Sequence, residues 1–234
     1  MKENMEITLT EDSIYSTNKC SLGEGVLWHS GRQSLLWVDI IEKKLFEKKL
    51  ISNNTQFDKI WDLEEIGSAL ALNADSDTSI FIVTDKSLGL FNLETGIFTK
   101  KITLNLPEHM RSNDGAVGPD GKFWFGSMEK QPSGKNGAIY NISPSGKLVK
   151  IQEGIGIPNT FCWSVCGKTL YLSDSYQQIM YQYPVNSDTR VEVSKRESFI
   201  DLTSSSTTPD GGAVDTDGNL WSAQWDGFKV QCYS

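Results

Sequence analysis

The sequence predicts an all-β fold of the β-propeller type, with about five blades present. Three observations carry this: an aromatic-rich, glycine-rich composition, a motif repeated near every 45 residues, and the same order of strands and turns inside each repeat. Seven tryptophans, seven tyrosines, ten phenylalanines and twenty glycines in 234 residues suit many short strands joined by tight turns better than helices. A period near 45 residues is close to the roughly 40 to 45 that one four-stranded blade occupies.

The repeat begins with a polar residue, runs to a large apolar one, turns, and enters a second apolar run. It reads EGVLW from Glu24 then SLLWVDI, SALAL from Ser68 then SIFIVTD, and NDGAV from Asn113 then KFWFGSM. It continues as NTFCW from Asn159 then TLYLSDS, and DGGAV from Asp210 then NLWSAQW. The leading residues are separated by 44, 45, 46 and 51 positions. The turns HSGRQ, PDGK, VCGK and TDGN bear glycine, which supplies the positive φ that hairpin turns call for. The second repeat has no such turn. Third apolar runs follow in LGLFNLETG, GAIYNISPSG and QIMYQYPV. A sixth leading residue would fall at about 255 by the same period, whereas the sequence stops at Ser234. The expectation is one propeller domain over residues 1–234, C-terminally incomplete and without its last blade.

A net charge of -8 argues against nucleic acid as a partner, because phosphate binding draws on a basic surface. The N-terminal residues lack the apolar core of a signal peptide, and no run reaches the roughly 18 apolar residues of a membrane span. A cytoplasmic protein without a membrane partner is expected. Cys20, Cys162, Cys166 and Cys232 match no paired metal-binding spacing and are read as reduced structural thiols.

In a propeller the first strand of each blade lines the central channel, so residues at one repeat position converge although they lie far apart in sequence. Those positions carry Glu24, Ser68, Asn113, Asn159 and Asp210. Clustered oxygen groups are costly to bury unless something satisfies them, and a divalent cation is the simplest remedy. Oxygen donors without thiolate or imidazole suit calcium, magnesium or manganese, and zinc accepts carboxylate oxygen too.

At these residues the sequence resembles the family of gluconolactonase, regucalcin (senescence marker protein 30) and luciferin-regenerating enzyme, six-bladed propellers with one divalent metal in the channel. The resembling segments are CSLGEGVLWHSGRQSLLWVDI at 20–40, RSNDGAVGPDGKFWFGSM at 111–128, IPNTFCWS at 157–164 with LYLSDS at 170–175, and TPDGGAVDTDGNLWSAQWDG at 208–227. The resemblance implies that Glu24, Asn159 and Asp210 are metal ligands, and that Arg111 and Asn113 hold the substrate's oxygens. It implies a lactonase, a hydrolase of small sugar-acid lactones, with Asp210 both ligand and general base. Asp114 and Asp174 are candidates to orient the ligands. Asp39, Asp215 and Asp217 are read as turn residues, and His29 and His109 as loop residues. The resemblance also implies a strand within Ile7 to Tyr15 that pairs with the last blade, and Gln131 stands where some relatives carry an acidic residue.

Two other readings accompany the lactonase. One is a non-catalytic propeller that binds calcium or another metal and docks a partner, since fold alone does not fix function. The other is an inactive, truncated family member.

Overall fold

In the computed structural model, which describes residues 14–50 and 59–234, nineteen strands form five antiparallel sheets. Each sheet is a meander whose strand order follows the chain, the organisation of a propeller blade. The alternating sequence runs become these strands because side chains on successive residues point to opposite faces, and both faces of a blade are packed.

The chain divides into two compact units. Within residues 3–105 the first sheet is β1 (Gly23–His29), β2 (Ser34–Asp39), β3 (Lys44–Lys49) and β4 (Lys59–Asp62). The second is β5 (Gly67–Leu72), β6 (Ser79–Thr84), β7 (Ser87–Asn92) and β8 (Phe98–Thr103). Leu36, Val38, Leu45, Leu70, Ile80 and Phe91 build the core of this unit. The repeat without a glycine turn therefore forms a complete blade, because burial of β5 and β6 does what the missing turn signal did not announce.

Residues 106–234 contain three sheets. These are β9 (Met110–Val117) to β12 (Leu148–Ile155), with β10 (Phe123–Glu129) and β11 (Gly137–Ile142) between them. Next comes β13 (Pro158–Trp163), β14 (Thr169–Asp174), β15 (Ile179–Pro184) and β16 (Glu197–Asp201). Last are β17 (Thr208–Val214), β18 (Leu220–Trp225) and β19 (Lys229–Tyr233). The first strands of the three sheets are neighbours, with β13 in contact with both β9 and β17. Trp124, Ile139, Phe161, Leu170, Leu172 and Tyr183 fill the space between blades.

Turn chemistry follows the sequence in three of the four hairpins, where Gly121, Gly167 and Gly218 take φ of 71°, 69° and 88°. In HSGRQ the left-handed residue is Gln33, at φ 51°, and not the glycine. Asp215 serves its turn as expected, accepting from the backbone of Asp217 and Asn219 and from Trp221 Nε1 at 2.8 Å. Asp39 likewise caps a loop, accepting from four backbone N–H groups at Ser21, Leu22, Ile41 and Glu42. His109 lies in a turn, but His29 ends β1 and is buried. Its Nδ1 accepts from the backbone of Arg32 at 3.3 Å, which makes it part of the hairpin's packing. Of the expected N-terminal strand, residues 7–13 lie outside the described residues. Tyr15 donates its hydroxyl to the Lys48 carbonyl at 2.9 Å.

One irregularity recurs in every blade. Between the first and second strands the register slips: Glu24 pairs with Val38 but Leu27 with Leu36, Ser112 with Ser127 but Gly115 with Phe125. Asn159 pairs with Ser173 but Cys162 with Tyr171, and Pro209 with Gln224 but Gly212 with Ser222. In the second blade Ser68 alone is passed over, between Gly67 and Ala69. These are β-bulges, which bend a strand and re-aim its side chains. The repeated motif of the sequence marks the bulge.

The thiols sort by the same packing. Burial, with the Asp114 charge adding to it, pushes the Cys162 thiol of β13 up to about 12. Cys166, exposed in the β13–β14 turn, is lowered chiefly by a hydrogen bond from Ser164. Iodoacetamide at pH 8 should therefore label Cys166 at least about tenfold faster than Cys162 in native protein, as read by peptide mass spectrometry. The reverse ranking would mean that β13 is not packed as described.

Candidate active site

The bulges decide which side chains leave the ladder. By pairing register, Glu24 and Asn159 are the last paired residues before their bulges, whereas Ser68, Asn113 and Asp210 are the first unpaired ones. The five leading residues thus occupy two adjacent positions of one bulge, not a single repeat position, because the motif EG or NT begins one residue earlier than ND or DG.

In the first unit, Glu24 is half-buried on β1 and Ser68 is buried on β5. Gly25, at φ 63°, lies so near the neighbouring bulge that an added Cβ would meet the Ser68 carbonyl at 3.0 Å.

The second unit brings together Arg111, Asn113, Asn159 and Asp210. Arg111 is half-buried on β9, and its Nη1 donates to the Ser112 carbonyl at 3.0 Å and to Asn113 Oδ1 at 2.6 Å. Asn113 Nδ2 donates to Asn159 Oδ1 at 2.9 Å and to the Pro158 carbonyl at 3.1 Å. Asn159 Nδ2 donates to Ser175 Oγ at 2.8 Å, and Ser175 donates to the Pro209 carbonyl at 2.6 Å. A continuous chain of hydrogen bonds therefore crosses from β9 through β13 to the residue preceding Asp210. Charge-assisted and buried, such a chain fixes each amide's orientation.

Two carboxyls accompany it. Burial pushes Asp114 up to about 6, the Asp210 charge adds to this, and backbone donors from Gly115, Phe161 and Thr160 pull the other way. Burial also raises Asp210, against the pull of the Gly211 N–H and the Arg111 charge. Asp174 supports the site from β14: it accepts from the backbone of Gly156 and Ile157 at 3.0 and 3.1 Å and from Gln177 Nε2, and so holds the loop that leads into β13.

Among the described residues no group of three or more His, Cys, Asp and Glu side chains has the spacing to hold a metal. A cation site here would rest on amide oxygen as well as carboxylate. The donors suit one: Asn159 Oδ1 and the Asp210 carboxylate are hard oxygen ligands, and the repulsion between Asp210 and Asp114, which adds to the rise of Asp114, is of the kind a cation relieves.

Three residues that the motifs did not single out complete the arrangement. Thr160 is fully buried at φ 58°, a conformation that costs a β-branched residue about 1–3 kcal/mol. Its hydroxyl donates to the Asp210 carbonyl and accepts from Ser173 Oγ at 3.0 Å. Ser173 and Ser175 are the alternate positions of LYLSDS, a period-two signal that could have been read from the sequence.

The raised Asp114 carboxyl has a consequence for stability. Between about pH 4 and 6 the folded state binds a proton that the unfolded state has released, so stability from this group falls as pH rises through that window. In chelator-treated protein, melting temperature relative to Asp114→Asn should drop from pH 4 to pH 6. A constant difference across that range would mean that Asp114 ionises as an ordinary carboxyl.

Comparison with known proteins gives concordant results. A family model described as SMP-30/Gluconolactonase/LRE-like region matches residues 22–234. The L-arabinolactonase of Azospirillum brasilense is 28% identical over 224 residues, 94% of this chain and 73% of its own length. The pentonolactonase of Haloferax volcanii is 27% identical over 221 residues, 92% of this chain and 70% of its own. The crystal structure of regucalcin from Agrobacterium tumefaciens, described as a calcium-binding protein, is similar at a TM-score of 0.85 and 33% identity, covering 93% of this chain and 72% of that one.

Proposed function

The chain belongs to the SMP-30/Gluconolactonase/LRE-like family, and we propose that it hydrolyses a sugar-acid lactone with the help of one divalent cation. The observation that carries this reading is the hydrogen-bonded chain from Arg111 through Asn113 and Asn159, which ends on the residue before the half-buried carboxyl Asp210. Relatives named as arabinolactonase and pentonolactonase support the substrate class.

Asn159 and Asp210 would hold the cation from the second unit. The same role for Glu24 rests on the family resemblance alone. When bound, such a cation, whether calcium, zinc, manganese or magnesium, supplies Lewis acidity toward the lactone carbonyl and toward water. The protein's own groups do the rest. Asp210 accepts the proton of the water that adds to the carbonyl carbon, and returns it to the ring oxygen as the acyl bond breaks. Arg111 and Asn113 orient the polyol and carbonyl oxygens, Arg111 as a charged donor. Asp114 accepts from the Gly115 N–H at 2.7 Å and so helps to hold the bulge of β9.

Acid release from gluconolactone, followed by pH-stat with calcium, manganese or zinc added, tests the reading. Metal-stimulated turnover is expected, and Asp210→Asn should lower kcat by about 10²–10⁴-fold while calorimetry shows much of the metal affinity retained. Asn159→Ala should weaken metal binding. A folded, metal-replete chain that turns over no lactone would sink the proposal, and unchanged metal binding in Asn159→Ala would remove that residue from the ligand set.

A further inference from the structure

The fourth blade places threonine where its backbone calls for glycine. Thr160 follows the last paired residue of its bulge, as Gly25 does in the first blade, and both have φ near +60°. Glycine takes this conformation freely, whereas a β-branched residue does not. A strained residue persists only where its surroundings use it. Here the side chain reaches the next blade: its hydroxyl donates to the Asp210 carbonyl, and Ser173 Oγ completes the hydroxyl's partners at 3.0 Å. Its methyl covers the same segment, since a Cβ on Gly212 would come within 2.9 Å of Thr160 Cγ2.

Residues 210 and 211 have no ladder partners across from β18, and Gly211 has nothing within 4 Å of an added Cβ. That segment would be loose if nothing outside its own sheet restrained it. We propose that Thr160 is a positioning residue for the reaction: it pins the Asp210 backbone in the bulge, so that the carboxylate stands where the proton transfer requires it. This rests on the lactonase reading for its catalytic consequence and on hydrogen bonding alone for the restraint.

The restraint and its use are measured separately. Thr160→Val removes the hydroxyl at constant shape, Thr160→Gly removes it while accepting the left-handed backbone without strain, and Thr160→Ser keeps it. Hydrogen–deuterium exchange of a peptide covering residues 208–214 should speed up about tenfold or more in the valine and glycine variants and stay near wild type in serine. On a lactone turned over by the wild type, kcat should fall at least about tenfold in valine and glycine with KM within threefold, and serine should restore it. If valine does not fold, glycine decides. Unchanged exchange in a folded hydroxyl-free variant overturns the restraint, and faster exchange with unchanged kcat overturns the positioning role. A wild type inert toward every lactone, with the exchange pattern as expected, overturns the lactonase reading and leaves the restraint standing.

Discussion

The candidate site depends on one departure from regular pairing, the bulge at which two residues of a first strand stand opposite one residue of the second. In a continuous ladder, Asn113, Asp114, Thr160 and Asp210 would have their backbone groups paired within the sheet and their side chains alternating between packed faces. The bulge releases both. Freed backbone groups below the surface must find new partners, and the side chains that supply them come from the adjacent blade. Thr160 donates to the carbonyl of Asp210 within the bulge, and Ser175 and Asn113 donate to the carbonyls of Pro209 and Pro158 beside it. The polar groups of the site thus serve the backbone in and beside the bulges. Their assembly is part of how three blades cohere within one unit.

This origin explains why some carboxyls in the molecule are quiet and others are poised. Asp39 is buried by area, yet it falls below the usual carboxylate range because four backbone N–H groups converge on it. Asp114 also has backbone donors, but burial and the Asp210 charge outweigh them and the carboxyl rises to about 6. Donors and burial oppose each other in both cases; the donors prevail at Asp39 and burial prevails at Asp114, where the neighbouring carboxylate adds to it. The Arg111 charge opposes the rise of Asp210, and Arg111 Nη1 donates to Asn113 and Ser112. The Asp210 charge that helps to raise Asp114 is a repulsion that further positive charge would relieve.

Much of the fold was legible because its signals are local and periodic. Glu24, Ser68, Asn113, Asn159 and Asp210 stand at the start of five runs whose alternation and turns recur at a nearly constant spacing, and each run proved to open a blade. The site was legible only as far as residue type. Asn113, Asn159 and Asp210 announced themselves as oxygen donors in matching places, but a spacing cannot distinguish the paired residue before a bulge from the unpaired residue within it. Thr160 was missed for a related reason. Threonine is a good strand former, and nothing in NTFCW discloses a left-handed φ. Ser175 and Gln177 lie just after β14 and act across to the next elements, Ser175 on Pro209 and Gln177 on Asp174 and Lys135, where no sequence interval links them. His29 reads as a loop residue beside SGR, and only its burial at the end of β1 assigns it to packing.

The direction of the hydrogen-bond chain follows from its two ends. Arginine can only donate, so Asn113 must turn its oxygen toward Arg111, which leaves its nitrogen facing Asn159. Asn159 must then present oxygen to Asn113 and nitrogen to Ser175, whose hydroxyl is left to donate to a carbonyl that can only accept. Neither amide can flip alone without setting donor against donor or acceptor against acceptor. The positive end therefore determines, two residues away, that Asn159 turns its oxygen rather than its nitrogen toward Asn113. An oxygen can serve a hard cation with its second lone pair, and an amide nitrogen cannot. Arg111, the residue that orients substrate in the proposed reaction, is by the same bonds the residue that decides which atom of Asn159 can act as a ligand.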